Sequence, residues 1–223
     1  MAKVGSIDGR DLESWDKGNT RGATGTMVSE KIKNNSGPVL IWGAGAVGGA
    51  IGAALARAGI HVKMVDVSIE HCQKCSEIGL KITGPVETYL QRVSCVTPKN
   101  LTGTFHRIIL AVKGPSTADA VNDLVKHLPD DGYVLSAQNG LAEHYLSKCI
   151  GVERVMGGFV NFGADWLGPG EILYGNRGAV VIGEIDGAIQ LRTRAMQKIL
   201  QCFEPNALVT NNIQGYLWGK MCY

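Results

Sequence analysis

No stretch of the sequence reaches the roughly eighteen uninterrupted apolar residues that a membrane span requires. The N-terminus also lacks the basic-then-apolar layout of a secretory signal. Charge of one sign is never concentrated: 22 Lys and Arg stand against 20 Asp and Glu, a formal net charge of +2. Neither a nucleic acid nor an anionic membrane surface is therefore an expected partner. Cysteines number six in 223 residues, too sparse for a stapled secreted domain, so reduced thiols and a cytoplasmic location are expected. Cys72 and Cys75 have metal-pair spacing, but structural zinc asks for four ligands and no second pair accompanies them. They read as incidental thiols at the start of a surface helix, and no metal site is expected. The five histidines are dispersed and suggest no acid–base pair. What remains, with 45% hydrophobic residues, is ample material for a core and a small molecule as the natural partner.

Residues 1–36 are polar, with no sustained period of 2 or 3.6, and read as a loosely held extension. The pattern changes at Pro38. Val39-Leu40-Ile41-Trp42 is a fully apolar run ending in glycines, which predicts a buried parallel strand. Val47, Ile51, Leu55 and Ala58 recur at helical spacing, with Gly59 as a stop. Residues 61–66 form the second strand, and Ser68 can cap a helix running to about Ile78. Between Leu80 and Val96, alternation around Gly84-Pro85 suggests a strand pair or meander inserted before the next central strand, residues 107–112. A helix over about 116–127 and a strand over 133–136 continue the alternation, which implies a parallel sheet covered on both faces. Beyond Val155 the chain becomes strand-like, then gives an amphipathic helix with Ile189, Met196, Ile199, Leu200 and Phe203 near one face. A last helical element starts at about Asn212. The expected division is an extension over 1–36, a dinucleotide-binding domain over 37–210, and the start of another domain over 211–223.

Gly43-Ala44-Gly45-Ala46-Val47-Gly48 sits between the first strand and the first helix, where a dinucleotide fingerprint must lie. The first Gly permits the tight turn, the second lets the backbone approach a pyrophosphate, and the third lets helix and strand pack closely. Free amides at the helix N-terminus face the phosphate charge. Asp66 closes the second strand, where a carboxylate accepts from the adenosine ribose hydroxyls and repels a 2′-phosphate. No arginine follows in residues 67–73, so NAD is favoured over NADP. Asp66 could instead cap the following helix, in competition with Ser68.

Further along stand Ala111-Val112-Lys113 at a strand end, Gln138-Asn139-Gly140, and Leu217-Trp218-Gly219-Lys220. Taken alone, Lys113 can be a solvated strand-end lysine and Asn139-Gly140 a common turn. Lys220 follows Ile213 and Tyr216 at helical steps, so it borders an apolar stripe that would lower its pKa and fit it to give up a proton near neutrality. It could equally snorkel from the helix edge.

With the glycine turn, these motifs in this order resemble the ketopantoate reductase (2-dehydropantoate 2-reductase) family over about residues 38–223. The resemblance implies a Rossmann-like doubly wound α/β sheet, mostly parallel. It implies NAD(P)H-dependent reduction of a 2-keto acid, ketopantoate to pantoate, in pantothenate biosynthesis. Gly43, Gly45, Ala46, Val47, Gly48, Asp66, Lys113 and Asn139 would bind cofactor. Asn139 would also serve the nicotinamide end or the substrate, and Lys220 would be the general acid. Many relatives carry a basic residue where this chain has Asp66. The resemblance also implies a C-terminal helical domain that supplies substrate groups and an acidic partner for the lysine, and the expectation is of a chain lacking that domain. Low turnover is therefore expected, as is self-association through Tyr216, Leu217, Trp218, Met221 and Tyr223. An NAD-binding sensor without turnover, or a reductase of another 2-keto acid, are the rival readings.

Overall fold

The computed structural model describes residues 37–222, so the expected polar extension over 1–36 and Tyr223 lie outside the described residues. The first unit is β1 (Val39–Trp42), α1 (Ala46–Arg57), β2 (Val62–Val65) and α2 (Ile69–Glu77). Every residue of β1 is buried, as a parallel strand covered on both faces requires. Ser68 caps α2, its Oγ accepting from the His71 N–H at 3.2 Å. Next come β3 (Leu80–Thr83), β4 (Tyr89–Gln91), β5 (Ser94–Val96), β6 (Arg107–Leu110), α3 (Thr117–Leu124), β7 (Tyr133–Ser136) and α4 (Glu143–Ile150). The chain continues through β8 (Val155–Gly168), β9 (Glu171–Glu184), α5 (Leu191–Leu200), β10 (Leu208–Val209) and α6 (Ile213–Lys220).

All strands join one sheet in the order β4-β3-β9-β8-β7-β6-β1-β2-β5, with β10 on β9. Pairing is parallel except for β3 with β4 and β8 with β9. The fold is thus a Rossmann-like, mostly parallel doubly wound sheet. One apolar layer gathers α1, the inner faces of β1, β2 and β9, and α5. The other holds α3 and α4 against Leu40, Ile108 and Val134.

Four local expectations change. The strand pair or meander expected over residues 80–96 is a β3–β4 pair at one end of the sheet and a separate third strand, β5, at the other. β5 runs parallel to β2 at one edge, while β3 and β4 form a hairpin whose β3 pairs with β9. Leu80 and Ile82 are fully buried there, and Lys81 reaches Glu171 at 2.8 Å. Helix α4 was not expected: it follows a turn dipeptide and buries only Glu143, Leu146 and Ile150. Ile189 is half-exposed and precedes the Gln190 cap of α5, so it does not share the inward face of Met196. Ala58 lies exposed past the end of α1.

Helix α1 has an unusual setting. It packs against β1 and β2 and also against β3, β8 and β9. Only very small residues permit this. A Cβ at Gly49 would run into the Ile172 side chain and the Ala44 carbonyl, and one at Gly52 would meet the Met64 side chain.

Candidate functional site

Beside β1 the chain changes side: β2 lies on one flank, β6 on the other. Open α/β sheets bind ligands at such a switch point, beyond the carboxyl ends of the strands. A cavity of about 520 Å³ occupies this position. Gly43, Gly45, Ala46, Val47 and Asp66 wall it from the first unit, and Lys113, Gln138 and Asn139 from the loops after β6 and β7.

The three glycines have distinct geometric reasons. Gly43 has φ +98°, and a Cβ there would press on Ala111 and Val112 at 2.9 Å, so the turn demands glycine. A Cβ at Gly48 would overlap the Gly43 carbonyl and meet Ile41, so this residue lets α1 approach β1. Gly45 has no neighbour within 4 Å of such a Cβ and borders the cavity. Its lack of a side chain is not explained by protein packing and leaves room for a ligand against the backbone. The opening amides of α1 have no acceptor within the helix, and they present a positive end to an anion.

Asp66 is half-buried. Its Oδ2 accepts from the Ala44 N–H and its Oδ1 from the Ser68 N–H, both at 3.0 Å. Ser68 therefore caps α2 while Asp66 ties the glycine turn to the end of β2. Among the described residues walling the cavity, Asp66 is the one carboxylate and Lys113 the one ammonium; Lys113 is exposed.

At Asn139, on the cavity wall, α6, β8 and the loop after β7 converge, though Lys220 itself is not among the residues that wall the cavity. Lys220 Nζ donates to Asn139 Oδ1 at 2.6 Å and to the Val160 carbonyl at 2.5 Å, and lies 5.3 Å from the Phe159 ring centroid. Partial burial lowers the pKa of the ammonium below the ordinary lysine value. Helix α6 is held by Ile213 and Leu217, both buried with Val181, and capped by the Asn212 side chain. Tyr216, Trp218 and Met221 are exposed as expected, but Leu217 is not: it belongs to this small core.

Sequence reasoning passed over three residues. Gln138 donates through Nε2 to the Val112 carbonyl and to Thr117 Oγ1, each at 2.8 Å, tying the loop after β7 to that after β6. Its signal was its place in the Gln-Asn-Gly run. Glu143 is 2% exposed. Burial pushes its carboxyl pKa up, against the opposing influence of the Ser136 hydroxyl. His71 is buried with Cys72 and Cys75 on the inner face of α2, so those thiols are core residues and not surface ones. Their recurrence at helical steps was the available signal. Cys72 Sγ and Cys95 Sγ are 3.4 Å apart, yet no group of three or more His, Cys, Asp or Glu among the described residues could hold a metal ion. No helix among the described residues is long and apolar enough to cross a membrane.

Comparison with known proteins places this arrangement. The profile of "Ketopantoate reductase PanE/ApbA" matches residues 39–187. A 2-dehydropantoate 2-reductase of Archaeoglobus fulgidus is 29% identical over 185 residues, and one of Pyrococcus horikoshii is 30% identical over 186. Each alignment covers 82% of this chain and 59% of the relative, so the chain spans about three fifths of the length of these curated relatives. Among solved structures, D-mandelate dehydrogenase with NADH and anilino(oxo)acetate superposes with TM-score 0.77 at 24% identity, covering 83% of this chain and 60% of that one. A 2-dehydropantoate 2-reductase from Geobacter metallireducens gives 0.75 at 23%, covering 82% and 61%. With the profile spanning both the glycine turn and the Gln-Asn-Gly loop, the chain belongs to the ketopantoate reductase family.

Proposed function

We propose that this protein is a nicotinamide-dependent reductase of a 2-keto acid, with ketopantoate as substrate and NAD preferred to NADP. The observation that carries the reading is the 2.6 Å link between Lys220 Nζ and Asn139 Oδ1, with Asn139 on the wall of the switch-point cavity. Two residues 81 positions apart meet where an open sheet binds its ligand. The cavity fits a dinucleotide on three grounds: the open face of Gly45, the unpaired amides opening α1, and the Asp66 carboxylate. These groups would hold the pyrophosphate and the adenosine ribose, and Lys113 would add a cation. A reduced nicotinamide, when bound, supplies the hydride.

The chain's own residues supply the rest. Reduction of a ketone leaves an alkoxide that must take a proton, and Lys220 holds one on Nζ. Desolvation lets that proton go more readily than from a solvated lysine. Asn139, with Oδ1 occupied by the lysine, keeps Nδ2 to donate to a ligand oxygen and so orients it. Val160 O fixes Nζ from the side of β8. A reductase of another 2-keto acid would share every one of these features, so the substrate is settled by assay against a panel of keto acids.

Lys220→Met tests the reading. NADH affinity should stay within about threefold, while ketopantoate reduction should fall at least about a hundredfold, the usual scale of a lost general acid. Undiminished reduction by the variant would refute the role of Lys220. Failure of the unsubstituted protein to bind either nicotinamide dinucleotide would refute the site.

A further inference from the structure

His71 is 1% exposed, and both of its ring nitrogens are engaged. Nδ1 accepts from the Gly170 N–H at 2.9 Å. A backbone amide can only donate, so Nδ1 carries no proton and the ring proton sits on Nε2. Nε2–H then donates to the Ala44 carbonyl at 2.9 Å. Ala44 is the residue between the first two glycines of the turn, and its N–H is already taken by Asp66.

The consequence follows from peptide geometry. In a trans peptide the carbonyl and the following N–H point to opposite sides, and the chain has no cis bonds among its described residues. With the Ala44 carbonyl drawn inward to His71, the Gly45 N–H is turned away from that buried ring, and Gly45, unlike Ala44, is among the residues that border the cavity. We propose that His71 is a positioning residue for the dinucleotide: it sets the orientation of the Ala44–Gly45 peptide so that the Gly45 amide meets the pyrophosphate. The role rests on the dinucleotide reading of the cavity. The ring is itself held from the far side by the turn between β8 and β9, through Gly170, and by Trp166, whose ring meets it edge-on at 6.1 Å between centroids. The hairpin whose Val160 anchors Lys220 therefore also supports the phosphate turn through this imidazole.

A histidine serving only to fill the core would tie binding to stability, and two substitutions separate the cases. His71→Gln places an amide donor near the Nε2 position and can keep the bond to Ala44. His71→Asn places an acceptor near Nδ1, keeping the bond from Gly170 and losing the one to Ala44. Fluorescence titration with NADH and thermal melts are measured on the unsubstituted protein and both variants. His71→Asn should weaken NADH binding roughly tenfold, and His71→Gln no more than about threefold, although both lower Tm. Unchanged affinity in His71→Asn, or equal losses in both variants tracking their Tm, would overturn the proposal while leaving the dinucleotide site intact. An unsubstituted protein that binds no dinucleotide would overturn both. Nitrogen-15 histidine spectra of the unsubstituted protein need no variant to fold. They should show His71 as the neutral Nε2–H tautomer, with its Nε2 signal moving on saturation with NADH. A proton on Nδ1, or an unmoved signal, would overturn the proposal as well.

Discussion

Gly45 and Gly48 lie one helical turn apart in the same motif, and the structure assigns opposite outcomes to the same substitution. At Gly45 the backbone is extended, with φ −70° and ψ −157°, outside the left-handed region that demands glycine, and a Cβ meets nothing within 4 Å. The cost of Gly45→Val is that of replacing a helix N-cap glycine, about 1 kcal/mol or less, which moves Tm by about 2–4 °C in a domain of this size. Its branched side chain occupies the space next to the backbone amides. Dinucleotide affinity should therefore fall by more than about a hundredfold, or roughly 2.7 kcal/mol. At Gly48 a Cβ overlaps the Gly43 carbonyl and lies 2.9 Å from Ile41 Cγ2 and 3.0 Å from Ala111 Cβ. Backbone cannot rotate aside as a side chain can, so Gly48→Val should cost about 3 kcal/mol or more and lose the fold before it loses the ligand. Thermal melts and calorimetric titration with NADH read both quantities. A Gly45→Val protein that binds NADH normally, or a Gly48→Val protein that melts like the unsubstituted one, would refute the reasoning.

The Asp66 carboxylate should make NADH bind at least about tenfold more tightly than NADPH. Asp66→Asn, which keeps an acceptor for the turn, should narrow that gap, and calorimetry showing NADPH preferred by the unsubstituted protein would contradict the assignment. Glu143, with its pKa raised above the ordinary 4.5 by burial, binds its proton more tightly folded than unfolded. Its contribution to stability is complete below the unfolded value and declines as pH rises through the folded one. Glu143→Gln should thus flatten the fall in Tm as pH rises above the ordinary carboxyl value and raise Tm at higher pH; an unaltered pH profile would show that Glu143 does not titrate differently on folding. The exposed Tyr216, Trp218 and Met221 should drive concentration-dependent association, which Trp218→Ser should weaken. Light scattering from a protein that stays monomeric at every concentration would rule this out.

The parts of the fold legible in the sequence are those whose reasons are local. β1, β6 and β7 are short apolar runs because parallel strands are covered on both faces. The glycine turn could be read position by position because its backbone conformation at Gly43, the close approach of Gly48 to Gly43 and Ile41, and the open face of Gly45 all belong to one strand–turn–helix unit, although Ala111 and Val112 also press on it from the end of β6. The family resemblance put Asn139 and Lys220 separately at the reacting end; their pairing was not derivable from spacing and is shown by the structure alone. The unread features depend on distant partners. His71 looked incidental because the amide that fixes its tautomer lies 99 positions away. The β3–β4 hairpin was assigned the right form and an unspecified neighbour, since nothing within residues 80–91 identifies β9 as the strand it joins. The amphipathic reading of α1 found one buried face, whereas Gly49, Gly52 and Ala53 are buried too.

The enclosure of α1 also bears on how the chain reaches its native state. Its first neighbours, β1 and β2, are close in sequence, but Ile172 on β9 closes over Gly49 more than a hundred residues later. Contacts of such sequence separation form late and slow folding. An N-terminal fragment could therefore hold the glycine motif and the strands beside it and still leave the helix half-uncovered. Its amides should become protected from hydrogen exchange only when β8 and β9 pair, as one cooperative unit spanning most of the described chain.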